Sequence, residues 1–183
     1  AYCANRSGRD VRRVTLSPDE LAASFDAMQR ASVVEGLFLS SGLCGHADGA
    51  MERMIATVRL LRTRYAFGGY VHLKILPGAD RAAIEEAISL ADRVSVNLEA
   101  PNPQRLQALS HTKDYGRELW YALEAAAALR EGAPRRVSMT TQFVVGAAGE
   151  SDAELLATAQ RLYREVRLAR VYYSAFRPIS DTP

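Results

Sequence analysis

Tyr70-Val-His-Leu-Lys-Ile-Leu76 decides the fold. In an extended chain Val71, Leu73 and Ile75 point to one side, and His72 and Lys74 to the other. Two later stretches repeat the pattern. Over Arg93–Glu99, Val94, Val96 and Leu98 oppose Ser95, Asn97 and Glu99. Over Val137–Val145, Met139, Thr141, Phe143 and Val145 oppose Ser138, Thr140 and Gln142. Strands buried on both faces read instead as continuous apolar runs. Here one face suits a covering of helices. The other gathers polar groups from neighbouring strands, and these need partners once buried. A curved sheet with helices outside and a polar, ligand-filled interior meets both needs.

Helical patterns fill the intervals between strands. Ser17-Pro18-Asp19-Glu20 reads as a capping box with proline at the first helical position, and Leu21, Phe25 and Met28 follow on one face. The apolar run Val33–Leu39 is a first strand ending in Ser40-Ser41-Gly42. Met51, Met54, Ile55, Val58 and Leu61 mark a helix over Gly49–Arg64. Further helices are predicted over Arg81–Ala91, Gln104–Ser110, Gly116–Glu131 and Ser151–Val166, the last with a second box at Ser151 and Glu154. Val171–Phe176 is the last strand. Five strands separated by helices argue for parallel strands and right-handed crossovers. A complete eight-unit barrel needs about 250 residues. At roughly 30 residues per unit, the 183 residues here hold five to six. No Gly-x-Gly-x-x-Gly follows the first strand, and no phosphate-loop Gly-Lys-Ser/Thr occurs, which argues against a dinucleotide or nucleotide fold. The expectation is α/β: one domain over residues 1–183, an open, partial TIM-like barrel with its site at the carboxyl ends of the strands.

Composition narrows the function classes. Lys and Arg number 23 against 21 Asp and Glu, so net charge alone implies no polyanion partner. Two cysteines cannot frame a disulfide miniprotein. No apolar run approaches the roughly 18–20 residues that span a bilayer, so no membrane partner is expected. The chain opens at Ala1-Tyr2-Cys3 without Met and stops at Ser180-Asp181-Thr182-Pro183, which reads as a piece of something longer.

Four strand ends carry chemistry-bearing residues. They are Ser40-Ser41-Gly42, Asn97-Leu98-Glu99, the turn from Gln142 through Val145 and Gly146 to Glu150, and Tyr172-Tyr173-Ser174 leading to Arg177. With Tyr2-Cys3, these residues resemble the radical S-adenosylmethionine superfamily, whose members carry Cys-x-x-x-Cys-x-aromatic-Cys after their first strand. Tyr2-Cys3 matches the last two positions of that loop. Leu39-Ser-Ser-Gly42, His72-Leu-Lys-Ile75, Asp92–Glu99, Thr141–Ser151 and Tyr172–Pro178 are similar to the subfamily of DNA modification or repair proteins. The resemblance implies a partial (β/α)6 barrel whose first strand and two further cluster cysteines would precede Ala1.

What the resemblance implies for function is specific. A [4Fe-4S] cluster and S-adenosylmethionine are the cofactors. One electron, from a donor such as a flavodoxin or ferredoxin, cleaves the sulfonium to a 5′-deoxyadenosyl radical. The implied substrate is a nucleic acid or nucleobase, and the implied compartment is the cytoplasm. By position Cys3 ligates iron and Tyr2 packs near the adenine. Ser40, Ser41 and Gly42 take the place of the motif that binds the methionine amino group, without its usual acid. Asn97 and Glu99 match the ribose motif, and a carboxylate suits ribose hydroxyls as an acceptor. Gln142 contacts cofactor or packs the interior. Val145 and Gly146 flank the adenine, and Tyr173 and Ser174 close its edge.

Other residues keep alternatives open. Lys74 is the candidate catalytic residue of a Schiff-base lyase with Glu99 as acid/base, or it pairs with Glu99 across the sheet. Arg6, Arg9, Arg12 and Arg13 would serve a DNA-binding module without chemistry, or form a solvated loop. Cys44 reads as a loop cysteine, or with His46 as half of a zinc site whose second half the sequence does not show. His72 reads as a hydrogen-bonded interior residue. Tyr115, Trp120 and Tyr121 read as helix packing. Glu150 precedes the Ser151 cap and favours the helix N-terminus.

Overall fold

The computed structural model describes residues 12, 14–42 and 47–178. Five parallel strands stand in sequence order: β1 (Leu37–Leu39), β2 (Val71–Lys74), β3 (Arg93–Ser95), β4 (Ser138–Val145) and β5 (Arg170–Ala175). The order decides between the two α/β architectures. A doubly wound sheet reverses its strand order midway, which puts helices on both faces. An unreversed order with right-handed crossovers puts every connecting helix on the same face. The structure is the expected α/β partial barrel.

The helices form one row outside the sheet. They are α1 (Pro18–Arg30), α2 (Ala47–Thr63), α3 (Arg81–Leu90), α4 (Pro103–Leu109), α5 (Tyr121–Leu129) and α6 (Asp152–Arg161). α1 packs on α2, α2 on α3, and α3 on α5. Both capping boxes are present, Ser17 with Glu20 and Ser151 with Glu154. A π-helical turn, Tyr115–Trp120, leads into α5, and another, Leu162–Val166, ends α6. The core lies between sheet and helices. Leu73, Ile75, Val94, Leu98, Met139 and Phe143 are buried against Met51, Val58, Leu61, Ile84, Ile88, Leu119 and Leu123. No helix among the described residues is long and apolar enough to cross a membrane.

Register fixes the inner face. Phe38 stands beside His72, His72 beside Arg93, Lys74 beside Ser95, Ser95 beside Thr140, and Gln142 beside Tyr172. The alternation expected from sequence is observed over Val71–Lys74 and over Arg93–Ser95, and in the third strand it stops at Ser95 rather than running to Glu99. His72 Nε2 lies 2.8 Å from Ser95 Oγ, and the Phe38 and His72 rings are 4.5 Å apart.

The amino ends of the strands are tied down by one guanidinium. Arg62, near the end of α2, donates to the carbonyls of Phe67 and Gly69, each at 2.7 Å, and to that of Leu90 at 3.2 Å. It also reaches Asp92 at 3.0 Å, and Asp92 in turn accepts the Val71 amide at 2.8 Å. One cation thus satisfies the segments that enter β2 and β3.

Candidate functional site

The carboxyl ends of the strands are built differently. β3 loses its regular ladder after Ser95. Ser95 stands beside Thr140, but the next bridge joins Glu99 to Phe143. Four steps along β3 therefore match three along β4, which is a bulge with one extra residue. Thr141 makes it possible. Its hydroxyl donates to the Val96 carbonyl at 2.6 Å and accepts the Leu98 amide at 3.1 Å. That explains a threonine in an otherwise apolar stripe.

The bulge ends in a tight turn at Glu99. The Ala100 amide donates to the Leu98 carbonyl at 2.7 Å, and Glu99 has φ 66°. An i to i+2 bond about a residue of positive φ is a γ-turn, a rare and strained form. Among the described residues three other non-glycine residues have positive φ: Ser32, Ala66 and Arg167. Each is exposed and follows the end of a helix, where such a conformation is common. Glu99 is only 4% exposed. A buried carboxylate thus occupies a strained turn at a strand end. Its Oε1 lies 3.0 Å from Lys113 Nζ, in the loop between α4 and the π-helical turn. Lys113 also lines a cleft of about 450 Å³ with Leu106, Ser110, His111, Asp114 and Tyr115.

Neighbouring strand ends add polar groups. Asn97 and Gln142 are half-buried, and neither side chain has a hydrogen-bond partner among the described residues. Gly146 has φ +89°, and a Cβ built there would meet nothing within 4 Å. Open space beside a glycine backbone allows close approach of a flat ligand. Glu150 shapes this turn by accepting the amides of Gly146 and, at 2.9 Å, Ala148. Burial pushes the Glu150 carboxyl up, but those amides and Arg105 outweigh it and hold it below its ordinary value. It is therefore more than the residue preceding the Ser151 cap.

Arg105 of α4 locks this turn to the next helix. Its guanidinium makes two bonds of 3.0 Å to Glu154 and one of 3.1 Å to the Ala148 carbonyl. Arg105 first, then the Ser151 amide, pulls Glu154 down to about 2. Asn102, which caps α4, donates to Glu154 as well, at 3.0 Å. The Pro101 carbonyl accepts from Tyr115 Oη and Thr158 Oγ1, each at 3.0 Å. Burial pushes the Tyr115 phenol up to about 12. The ends of β3 and β4 are thus held to one another by α4 and α6.

The remaining sequence candidates fall as follows. Ser40, Ser41 and Gly42 are exposed after β1, with Ser41 Oγ donating to the Gly42 carbonyl at 2.8 Å. Lys74 and His72 line the inner face. Burial, then Arg93 and Lys74, pushes His72 down to about 4. Val145 is half-buried at the end of β4. Tyr173 and Ser174 separate: Ser174 stands beside Val144, while Tyr173 stands beside Phe143 with ring centroids 6.0 Å apart. Tyr2, Cys3, Arg6, Arg9, Arg13, Cys44 and His46 lie outside the described residues. Among the described residues no three His, Cys, Asp or Glu side chains group to hold a metal ion. Lys113 and Arg105 were not legible in sequence, because both act across long separations from polar segments without a motif.

Comparison with known proteins gives one family and one fold. A family model described as the radical SAM superfamily matches residues 1–162. No curated protein matches. The crystal structure of HydG, described as a maturase of the [FeFe]-hydrogenase, aligns with a TM-score of 0.74 at 12% identity, over 100% of this chain and 40% of that one. The X-ray structure of the FeFe-hydrogenase maturase HydG from Carboxydothermus hydrogenoformans aligns at 0.65 and 19% identity, over 94% of this chain and 40% of that one. At such identities the likeness is one of fold, and the chain spans 40% of the length of either structure.

Proposed function

This chain belongs to the radical SAM superfamily, and from that premise we propose that the carboxyl edge of its sheet binds S-adenosylmethionine in an enzyme that cleaves it reductively. The observation that carries the reading is Glu99. A buried carboxylate in a strained turn is retained where the strain serves a site. A carboxylate has about four acceptor positions, and Lys113 engages only the Oε1 side. The rest suit the two hydroxyls of a ribose.

The surrounding donor set fits the same ligand. Asn97 and Gln142 offer side-chain amides with no other partner among the described residues. Val145 and the open face of Gly146 suit an adenine ring. The hydroxyl and carbonyl oxygens of Ser40–Gly42 suit an ammonium group. Cys3, by resemblance, ligates the [4Fe-4S] cluster. Cofactor and cluster together supply carbon-radical chemistry by one-electron cleavage of a sulfonium. The protein's own share is to hold the ribose at Glu99, seat the adenine at Gly146 and exclude water from the inner face.

Three finer readings extend the proposal. A nucleic acid as substrate is supported by the subfamily resemblance and by Arg6, Arg9, Arg12 and Arg13. A flavodoxin or ferredoxin as donor is supported by the single electron required. The cytoplasm is supported by the need of a cluster for a reducing compartment. The test is anaerobic purification of the intact protein with its iron and sulfide. With dithionite it should convert S-adenosylmethionine to 5′-deoxyadenosine and methionine. Protein that binds no iron and forms no 5′-deoxyadenosine refutes the reading. Borohydride trapping of a carbonyl compound on Lys74 would instead establish the lyase, and salt-steep DNA binding without turnover the binding module.

A further inference from the structure

Lys113 carries an inference that rests on the ribose reading of Glu99. The geometry points to Lys113 as a positioning residue for the nucleoside site, one that fixes the Glu99 carboxylate so that its free oxygen faces the ribose hydroxyls. Glu99 Oε1 lies 3.0 Å from Lys113 Nζ, and the two side chains are 6% and 24% exposed. The Glu99 backbone is fixed by the bulge and by the Ala100-to-Leu98 bond. Its side chain still has three rotatable bonds, and ordering a free glutamate on binding carries an entropic cost. The charge-assisted contact to Lys113 orders one oxygen in advance. Lys113 reaches it from a different segment, after α4, so ribose recognition is shared between the end of β3 and the Ser110–Asp114 loop.

A purely structural role for the pair predicts a different result. Truncation would then lower stability and weaken every ligand equally. A positioning role weakens only ligands that present ribose hydroxyls. The probes are S-adenosylhomocysteine and its 2′,3′-dideoxy form, titrated calorimetrically into the intact protein. The wild type should prefer the ribose form by about tenfold or more. Lys113→Met should reduce that preference at least fivefold while leaving the dideoxy affinity unchanged, and Lys113→Arg should restore it. Should Lys113→Met fold poorly because Glu99 is left buried and unpaired, the Glu99→Gln/Lys113→Met double variant removes that carboxylate. Its affinities should equal those of Glu99→Gln alone. A Lys113→Met protein with the wild-type preference, or a double variant weaker than Glu99→Gln, overturns the inference and leaves the ribose reading standing. A wild type that binds ribose and dideoxy forms equally overturns both.

Discussion

Glycine should be better than alanine at position 99, the reverse of its usual effect. An L-residue at the Glu99 φ of 66° carries a cost of about 1–2 kcal/mol that glycine escapes. Glycine gives back roughly 0.5–1 kcal/mol through the greater freedom of its unfolded chain. Both substitutions lose the bond to Lys113 equally, so that contribution cancels between them. Glu99→Gly should therefore be more stable than Glu99→Ala by about 0.5–1 kcal/mol, or about 1–4 °C in melting temperature for a chain of this size. Ala23, exposed within α1, provides the control. There Ala23→Gly should be destabilising by about 1 kcal/mol. Urea unfolding and thermal melts of the three variants measure the comparison. If Glu99→Ala proves as stable as Glu99→Gly, the turn is unstrained, and strain does not mark the site.

Replacing Arg62 by Met leaves the carbonyls of Phe67, Gly69 and Leu90 without its guanidinium, while Asp92 keeps Arg135 at 3.5 Å, at a cost of about 3 kcal/mol; denaturant unfolding should show it, with Arg62→Lys recovering part. His72 sits at about 4 in the folded chain against about 6.5 when unfolded. The unfolded chain therefore takes up the proton first, and stability falls as pH drops from about 6.5 toward 4. Between pH 6.5 and 5 the loss is about 1 kcal/mol after allowing for partial exposure, and in urea melts His72→Gln should flatten the slope. Removing the Glu150 carboxylate as Glu150→Ala frees the Gly146 and Ala148 amides. Hydrogen exchange there should quicken by about tenfold with the core unchanged; unchanged exchange at both amides would falsify the loop-closing role. Gly146→Ala places a Cβ in open space at φ +89°, so it should lose about 1 kcal/mol of stability and weaken adenosyl ligands more than its stability loss explains.

Elements with strong local signals were legible in sequence. Ser17 with Glu20 and Ser151 with Glu154 cap where the pattern puts them, because a capping box is a contact between residues three apart. The alternation at Val71–Ile75 gives both faces of β2, because strand side chains alternate whatever the neighbours do. Predictions run too long where tertiary geometry intervenes. The expected first strand from Val33 begins only at Leu37, and β3 ends its regular ladder at Ser95 rather than Glu99. The bulge that ends it needs the Thr141 hydroxyl on the adjacent strand, 45 residues from Val96. The helix expected from Gly116 to Glu131 instead opens in a π-helical turn. Asn97 and Glu99 were identifiable by residue type and spacing. Lys113, which pairs with Glu99, was not, since it stands 14 residues further on in a loop and no local pattern ties the two together.

The two ends of the sheet differ in how fully their polar groups are satisfied. At the amino end, Arg62 satisfies three carbonyls and a carboxylate at once, and its side chain is 11% exposed. Almost nothing there is left for a ligand to complete. At the carboxyl end the ladder is broken by a bulge, Glu99 is strained, and Asn97 and Gln142 have no partner among the described residues. Each of these features is destabilising by itself, and half-buried amides without partners are uncommon in folded proteins. They persist at one end because the other end and the core supply stability they do not. On the proposed reading, a ligand that completes those groups would recover in binding what the broken ladder loses, and the surplus would go to orientation. The sequential strand order makes this division unavoidable. With all helices outside, the inner face and its carboxyl rim are the part of the molecule where polar groups from several strands converge.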